Sequence, residues 1–395
     1  MMLFLSIVNL FLVLFLYRIF RKKIISGFKQ KIYTNFMKLR LKDRVILSSF
    51  SGKSFSDNPK YLYLKIKEIY PEMETIWILD DIKTKIPGET RKIKRNSIKH
   101  FYYMATSKYW IFNSRIPALF KKREEQIYLQ TWHGTPYKKL GLDMDVAYFG
   151  GGNYKLNFYK NAQRWDYLIS PNKYSTKIFQ SAFGISEDII LEYGYPRNDI
   201  LHEISLEKVN SIKSSLLIPS DKKVILYCPT WRDDKKSSNK NYKFDVEMDL
   251  NRLKVRFGSS CVILMRMHYL ISEFMDLSEF EGFAYDVSSY DDIQELYIIS
   301  DLMVTDYSST MFDYAYLDRP IILYMYDFDK YTNTLRGGYF DIKECNPGCL
   351  AYDQNELESI IELKLNGSDG VDKEFYRIFC EKQHTSSEMV LNKLF

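Results

Sequence analysis

Leu129-Gln130-Thr131-Trp132-His133-Gly134-Thr135-Pro136 follows a short apolar run and ends in a turn. A strand that runs into a turn puts His133 at the mouth of a sheet, where open α/β folds keep their chemistry. Far downstream, Thr305-Asp306-Tyr307-Ser308-Ser309-Thr310-Met311-Phe312-Asp313 follows the apolar run Leu302 to Val304. Its three consecutive hydroxyls can open a helix whose N-terminal amides suit a phosphate. A histidine on one side and a phosphate cradle on the other point to phosphoryl transfer.

Around these two stretches, strand and helix patterns alternate twice over. Arg44 to Ser48, Thr75 to Leu79, Tyr109 to Phe112, Ile127 to Gln130, Tyr167 to Ser170 and Ile189 to Tyr193 read as short apolar strands. Helical patterns such as Tyr61 to Ile69 and Tyr174 to Phe183 separate them, as in a parallel sheet with crossover helices. After a helical connector near Leu206 to Leu217 the alternation restarts with Lys223 to Tyr227, Cys261 to Arg266, Asp301 to Thr305 and Pro320 to Tyr324. The expected fold is α/β, with two Rossmann-like domains, 45–205 and 206–372, facing across a cleft that holds both groups of motifs. Residues 373–395 read as a C-terminal helix that packs back on the first domain.

The composition agrees with two folded domains. At 395 residues the chain exceeds what a single core usually holds, and 46% apolar residues suffice to fill two. The five cysteines are odd in number and scattered, as reduced thiols of a cytosolic protein are. Cys345 and Cys349 do not read as a metal pair, because no second pair and no nearby histidine completes a site.

The net charge of +6 is unevenly placed. Arg18 to Arg44 hold ten Lys or Arg and one acid, Asp43; that local +9 against +6 overall leaves residues 45–395 at −3. Ahead of this stretch lies the apolar run Leu3 to Tyr17, slightly short of the ~20 residues of a full bilayer crossing. Charge before the run and a small-residue cleavage site after it are both absent, so residues 1–44 read as an uncleaved membrane attachment, not a signal peptide. Positive charge after the run keeps the bulk of the chain cytoplasmic and attracts an anionic membrane surface. Spanning and lying in the interface both remain open, and the alternative is a buried N-terminal helix with a solvated basic face. Nucleic-acid binding lacks support, since the remainder is slightly acidic.

Six motifs in order resemble the CDP-glycerol glycerophosphotransferase family, the teichoic-acid primases and polymerases of bacterial cell walls. They are Gln130-Thr131-Trp132-His133-Gly134-Thr135, Gly194-Tyr195-Pro196-Arg197-Asn198-Asp199, Tyr227-Cys228-Pro229-Thr230-Trp231-Arg232, Arg266-Met267-His268, Thr305-Asp306-Tyr307-Ser308-Ser309 and Arg336-Gly337-Gly338-Tyr339-Phe340-Asp341. The likeness spans roughly Tyr102 to Asp341. It implies a GT-B-like fold and transfer of a polyol phosphate from a CDP-activated donor to a lipid-linked glycan or teichoic-acid acceptor at the cytoplasmic face of the membrane, with release of CMP. CDP-glycerol leads CDP-ribitol on family frequency alone. The additional N-terminal domain of the longest polymerases is not expected, and the hydrophobic leader is not required by the motifs.

Within that frame His133 is the expected general base, since an imidazole near its ordinary pKa of roughly 6.5 suits proton removal in the cytosol. Gly134 allows close approach of a substrate and Trp132 can wall off water; Thr135 completes the turn. The alternative is a structural histidine bonded to the following turn. His268, by the resemblance, faces the donor diphosphate, where a protonated ring offsets charge on the leaving CMP. Ser308, Ser309 and Thr310 bind phosphate oxygens on this reading, or else serve as plain N-caps. The guanidinium fork of Arg232 suits the diphosphate. Arg266 belongs to the same strand end as His268. Arg197 either binds donor or ties the two domains together with Asp199. His100, His202 and His384 read as surface residues.

No cofactor is demanded. Asp306 and Asp313 leave room for a divalent cation such as Mg2+, with ribose binding or helix capping as the alternative, because a carboxylate without a Gly-Lys-Ser/Thr loop is a weak metal signal. A nucleotide-sugar glycosyltransferase shares the architecture and is distinguished by releasing a nucleoside diphosphate. A non-enzymatic membrane scaffold would not need a constellation at both strand mouths.

Overall fold

Val45, Ile46 and Leu47 are fully buried in β1 (Lys42–Ser48), and Val224, Ile225 and Leu226 likewise in β8 (Lys223–Cys228). Continuous apolar runs of this kind belong to strands covered on both faces, which is the condition of parallel sheets. The computed structural model describes residues 27–144, 153–230, 247–267, 276–334, 337–367, 369–380 and 385–395. β1 joins β2 (Glu74–Leu79), β3 (Arg91–Lys94), β4 (Ser107–Phe112), β5 (Ile127–Gln130), β6 (Tyr167–Ile169) and β7 (Ile190–Leu191) in the order β3-β2-β1-β4-β5-β6-β7. β8 joins β9 (Cys261–Met265), β10 (Ala284–Asp286), β11 (Leu302–Thr305), β12 (Ile321–Tyr324) and β13 (Cys349–Ala351) in the order β10-β9-β8-β11-β12-β13. Every pairing in both sheets is parallel.

Both sheets are Rossmann-like, and each strand order reverses once, at β1/β4 and at β8/β11. Such switch points open a crevice at the C-terminal strand ends. The helix Asp57–Ile69 follows β1, and Asn113 ends β4 beside it; Pro229-Thr230 follow β8, and Asp306 to Thr310 follow β11. The chemistry-bearing loops of both halves therefore share one gap. Lys60 of the first half pairs with Asp292 of the second at 2.5 Å, and the Tyr61 hydroxyl donates to the same carboxylate at 2.8 Å.

Three strands have no counterpart in the sequence reading: β3, β10 and β13. All three are sheet edges. Strand β3, Arg-Lys-Ile-Lys, buries only Ile93, so it lacks the apolar run that identifies a central strand. The single C-terminal helix over 373–394 is corrected to two helices, Lys373–Phe379 and Ser386–Leu394. Phe375 and Phe379 of the first enter the core of the second sheet, whereas Val390, Leu391 and Leu394 of the second pack with Val45 and Leu47 of the first.

At the N-terminus, Tyr33 is fully buried against Phe120 and donates to the Lys121 carbonyl at 2.7 Å. Arg44, counted with the basic stretch, is an interior residue of β1 bonded to Ser107 Oγ at 3.1 Å. Arg44 therefore belongs to the interior of the first sheet and adds nothing to the exposed basic charge. Residues 1–26, which carry the expected anchor, lie outside the described residues; among the latter no helix is long and apolar enough to cross a membrane.

Candidate functional site

His133 follows β5 by three residues and stands on a strained turn. Trp132 has φ +52°, a left-handed conformation that costs a bulky residue about 1–3 kcal/mol. The strain is held by its neighbours. Gln130 Oε1 accepts from the Trp132 amide at 3.0 Å, and Asn58 Nδ2 donates to the Thr131 and Trp132 carbonyls at 3.3 and 3.2 Å. The Trp132 indole packs against Phe183, with ring centroids 4.8 Å apart, and stacks on the His133 imidazole at 4.7 Å.

The imidazole is oriented by one decisive bond, from Nδ1 to the Asn113 carbonyl at 2.7 Å. A carbonyl only accepts, so Nδ1 carries the proton and Nε2 of the neutral ring keeps its lone pair. The anchor is the end of β4, twenty residues upstream, so the expected alternative of a bond to the following turn is not the one formed. Solvent reaches the ring, yet the cleft walls desolvate it and hold its pKa below the ordinary 6.5; Asp57 and the Asn113 carbonyl oppose this and Arg197 adds to it.

Asn113 is itself clamped. Its Oδ1 accepts from the Phe50 amide at 2.7 Å and its Nδ2 donates to Asp57 Oδ2 at 2.6 Å. Asp57, in a left-handed conformation with φ +60°, accepts through Oδ1 from Arg197 NH1 at 2.7 Å. Arg197 NH2 donates at 2.8 Å to Asp313 Oδ2, and Asn198 Nδ2 donates to Asp313 Oδ1 at 2.9 Å. A buried chain of contacts thus runs from the second half through Asp313, Arg197, Asp57 and Asn113 to His133. The guanidinium is held by two carboxylates, one from each half. Of the two expectations for Arg197, these ion pairs support the domain tie. Its partners are Asp57 and Asp313, not Asp199, which instead accepts from the Ser386 and Ser387 amides at the start of the last helix.

A cavity of about 400 Å3 spans the cleft, lined on one side by Trp132, His133, Gly134 and Thr135 and on the other by Thr230, Arg266, Ser308, Ser309 and Thr310. The two sides touch at Gly134, where an added Cβ would lie 2.9 Å from Ser309 Oγ. Ser309 occupies the N-cap position of Thr310–Tyr314 without using its side chain as a cap. Ser309 therefore does not act as a plain cap, whereas Ser308 Oγ accepts from the Thr310 amide at 3.4 Å. That helix is only one turn long, so hydroxyls and local amides rather than a macrodipole are what it offers. Arg266 NH1 donates to the Val287 carbonyl at 2.7 Å and also to that of Tyr290, which braces the strand end. Both oxygens of Asp306 accept from the Thr230 amide, at 2.9 and 3.0 Å, and tie the two loops together. Asp313 is committed to Arg197, so neither carboxylate stands as a ready cation ligand; among the described residues no group of three His, Cys, Asp or Glu could hold a metal ion. Arg232, His268 and His384 lie outside the described residues.

Sequence reasoning missed Asp57, Asn58 and Asn113. Their signal was weak: a polar Ser-Asp-Asn-Pro run after the first strand and a lone Asn after the fourth, neither distinguishable from ordinary turns. It also assigned no role to Gly337-Gly338-Tyr339, which pairs antiparallel with Tyr137 to Lys139. The Lys139 amide donates to the Gly337 carbonyl at 3.1 Å and the Tyr339 amide to that of Tyr137 at 2.8 Å. At Gly338 an added Cβ would sit 2.8 Å from the Tyr137 ring, so only glycine lets this strap from the second half lie against the His133 loop. His100, read as a surface residue, is buried; burial, with Arg95 nearby, lowers its pKa to about 4.

The chain has relatives among known proteins. The chain is 44% identical over 360 residues to a teichoic acid poly(glycerol phosphate) polymerase of Staphylococcus epidermidis, covering 89% of this chain and 50% of that one. It is 44% identical over 372 residues to a teichoic acid glycerol-phosphate transferase of Staphylococcus aureus, covering 91% and 94%. The chain thus spans about half the length of the first relative and nearly all of the second. A solved structure of the wall teichoic acid polymerase TagF superposes with a TM-score of 0.86 at 41% identity, covering 94% of each chain. Residues 32–395 match the family described as CDP-glycerol:poly(glycerophosphate) glycerophosphotransferase, and to that family this chain belongs.

Proposed function

We propose that this protein transfers glycerol phosphate from CDP-glycerol to a hydroxyl of a teichoic-acid acceptor. The observation that carries the reading is His133, fixed as an Nδ1–H tautomer at the rim of a cleft-spanning cavity whose far wall presents Ser308, Ser309 and Thr310. The acceptor oxygen attacks the phosphorus that bears glycerol, and its proton passes to His133 Nε2. The bond from that phosphorus to the bridging oxygen breaks, and CMP leaves with the electron pair. The serine and threonine hydroxyls hold the diphosphate before reaction. Arg232 and His268, by their place in the family motifs, are assigned to the same diphosphate, with protonated His268 offsetting charge on the departing CMP.

The apolar leader and basic stretch hold the enzyme at the cytoplasmic face of the membrane, where a lipid-linked acceptor is presented. A first domain that already includes Tyr33 and Arg44, a second from 206, and a membrane-attachment segment confined to residues 1–26 suit this arrangement. The test incubates full-length protein with CDP-glycerol or CDP-ribitol and a lipid-linked acceptor in vesicles. A product heavier by one or more glycerol phosphate units with matching CMP release is expected; release of a nucleoside diphosphate, or transfer from CDP-ribitol alone, refutes the assignment.

A further inference from the structure

Three consecutive residues after β1, Phe50, Ser51 and Gly52, have φ of +46°, +59° and +92°. Glycine takes such angles freely, whereas a side chain at either of the first two positions is held there against its preference. The turn is pinned from outside. The Phe50 amide donates to Asn113 Oδ1 at 2.7 Å, the Gly52 amide to the Ser49 carbonyl at 2.8 Å, and the Asp80 amide to the Gly52 carbonyl at 2.7 Å. Strain of this kind persists where the surrounding structure enforces it, and it gathers at functional sites. Here the turn brings the Phe50 ring against His133, with centroids 5.8 Å apart and planes at 69°. Trp132, also left-handed, stacks on the same imidazole at 4.7 Å and 28°. Asn113 sets the register of the group, since its side chain fixes the Phe50 backbone and its carbonyl holds His133 Nδ1. Phe50 is not part of the wall of the donor cavity, and it is 37% exposed. Core packing is a poor reason for an aromatic residue to stand partly in water on a backbone it resists.

We propose that Phe50 is a positioning residue of the transfer reaction, which shields the His133 imidazole from bulk water so that the base activates an acceptor hydroxyl in preference to water. The inference rests on the transfer reaction proposed above and concerns its choice between two nucleophiles. A water oxygen that attacked the same phosphorus would pass its proton to His133 Nε2. The bond to the bridging oxygen would break, CMP would leave with the electron pair, and free glycerol phosphate would be lost from the growing product. With Nδ1 taken by the Asn113 carbonyl and two rings packed on the imidazole, the approach to Nε2 is bordered by apolar surface. An acceptor bearing carbon-bound hydrogens gains contact by displacing water from the Phe50 ring, whereas water gains nothing there. The same shielding agrees with the low pKa of His133, for which desolvation is the largest cause. The charged groups that act on the ring are Asp57 and Arg197, and neither is held by the Phe50 side chain.

The test compares Phe50→Gly and Phe50→Tyr with the wild type, as full chains, using CDP-glycerol and a lipid-linked acceptor in vesicles, with CMP and free glycerol phosphate read by chromatography. Glycine adopts φ +46° without strain and removes the ring, so Phe50→Gly should keep the thermal midpoint and the calorimetric affinity for CDP-glycerol. Its ratio of free to transferred glycerol phosphate should rise severalfold. Phe50→Tyr, which keeps the ring, should partition as the wild type does. The pKa of His133, followed by histidine NMR and assigned through His133→Gln, should rise towards the ordinary 6.5 in Phe50→Gly, because solvation returns while Asp57 and Arg197 stay in place. The acidic limb of kcat/KM should move to higher pH with it. An unchanged partition in Phe50→Gly overturns the proposal, and a lowered thermal midpoint beside it makes the ring a packing residue. Hydrolysis by Phe50→Tyr equal to that by Phe50→Gly also overturns it. If the wild type releases no CMP from CDP-glycerol, the transfer reading fails and the NMR titration decides alone: a raised His133 pKa in Phe50→Gly upholds the shield, and an unchanged one overturns it.

Discussion

Arg197 separates two accounts of this cleft, and Arg197→Met decides between them. Arg197, Asp57 and Asp313 are 5%, 4% and 5% exposed, and the two ion pairs are 2.7 and 2.8 Å long. Methionine keeps most of the stem's volume but leaves two buried carboxylates without their counter-charge. Breaking a buried pair in this way costs about 3–5 kcal/mol. With each kcal/mol worth roughly 2–4 °C in units of this size, the melting temperature should fall by about 6–20 °C. Burial already raises the pKa of Asp313, and Arg197 is the largest influence holding it down. Without the arginine the folded variant binds protons more tightly still than the unfolded chain, whose carboxylates titrate near 3.9. The penalty is therefore fully developed above the raised pKa and shrinks as pH falls through it, so the deficit should be smaller at pH 5 than at pH 8. Thermal unfolding followed by circular dichroism at both pH values measures this. Adding Asp57→Asn and Asp313→Asn should recover much of the loss, because replacing both partners of a buried pair costs far less than orphaning one. A midpoint within about 2 °C of wild type, accompanied by weakened CDP-glycerol binding, would refute the domain tie and restore Arg197 as a donor ligand.

His133→Ala should lower turnover by about a hundredfold or more while calorimetric donor affinity changes little; near-normal turnover of the folded variant rejects it as the base. Since desolvation holds the His133 pKa below 6.5, the acidic limb of kcat/KM should fall below pH 6.5, and Asp57→Asn, which removes a carboxylate that raises that pKa, should move it further to acid. Gly134→Ala forces a Cβ to 2.9 Å from Ser309 Oγ and should weaken CDP-glycerol binding more than Ser309→Ala does; unchanged binding means the loops part without effect on the donor. Deleting residues 1–26 leaves the Tyr33 contact in place, so the truncated protein should stay folded, work on a soluble acceptor and lose activity on vesicle-bound acceptor; equal vesicle activity removes the case for a membrane anchor.

The long central strands were legible because burial on both faces demands continuous apolar residues, and their alternation with helices implied parallel sheets. β3, β10 and β13 were not, because an edge strand with one covered face reads like a loop. His133 and the hydroxyl run stood out through local chemistry: few residue types accept a proton at neutral pH, and three adjacent hydroxyls after a strand are a distinctive pattern. The sequence by itself thus determined two parallel sheets and the family, and singled out His133 and the hydroxyl run as candidate site residues. The tertiary structure alone decided how they are held. Asp57, Asn113, Arg197 and Asp313 are separated by up to 256 positions in the chain, yet form one buried contact path to His133 Nδ1. Each is an ordinary polar residue in its own neighbourhood. Their roles arise only when the closing of two sheets removes water from between them, which makes every charge depend on a partner that local sequence does not name.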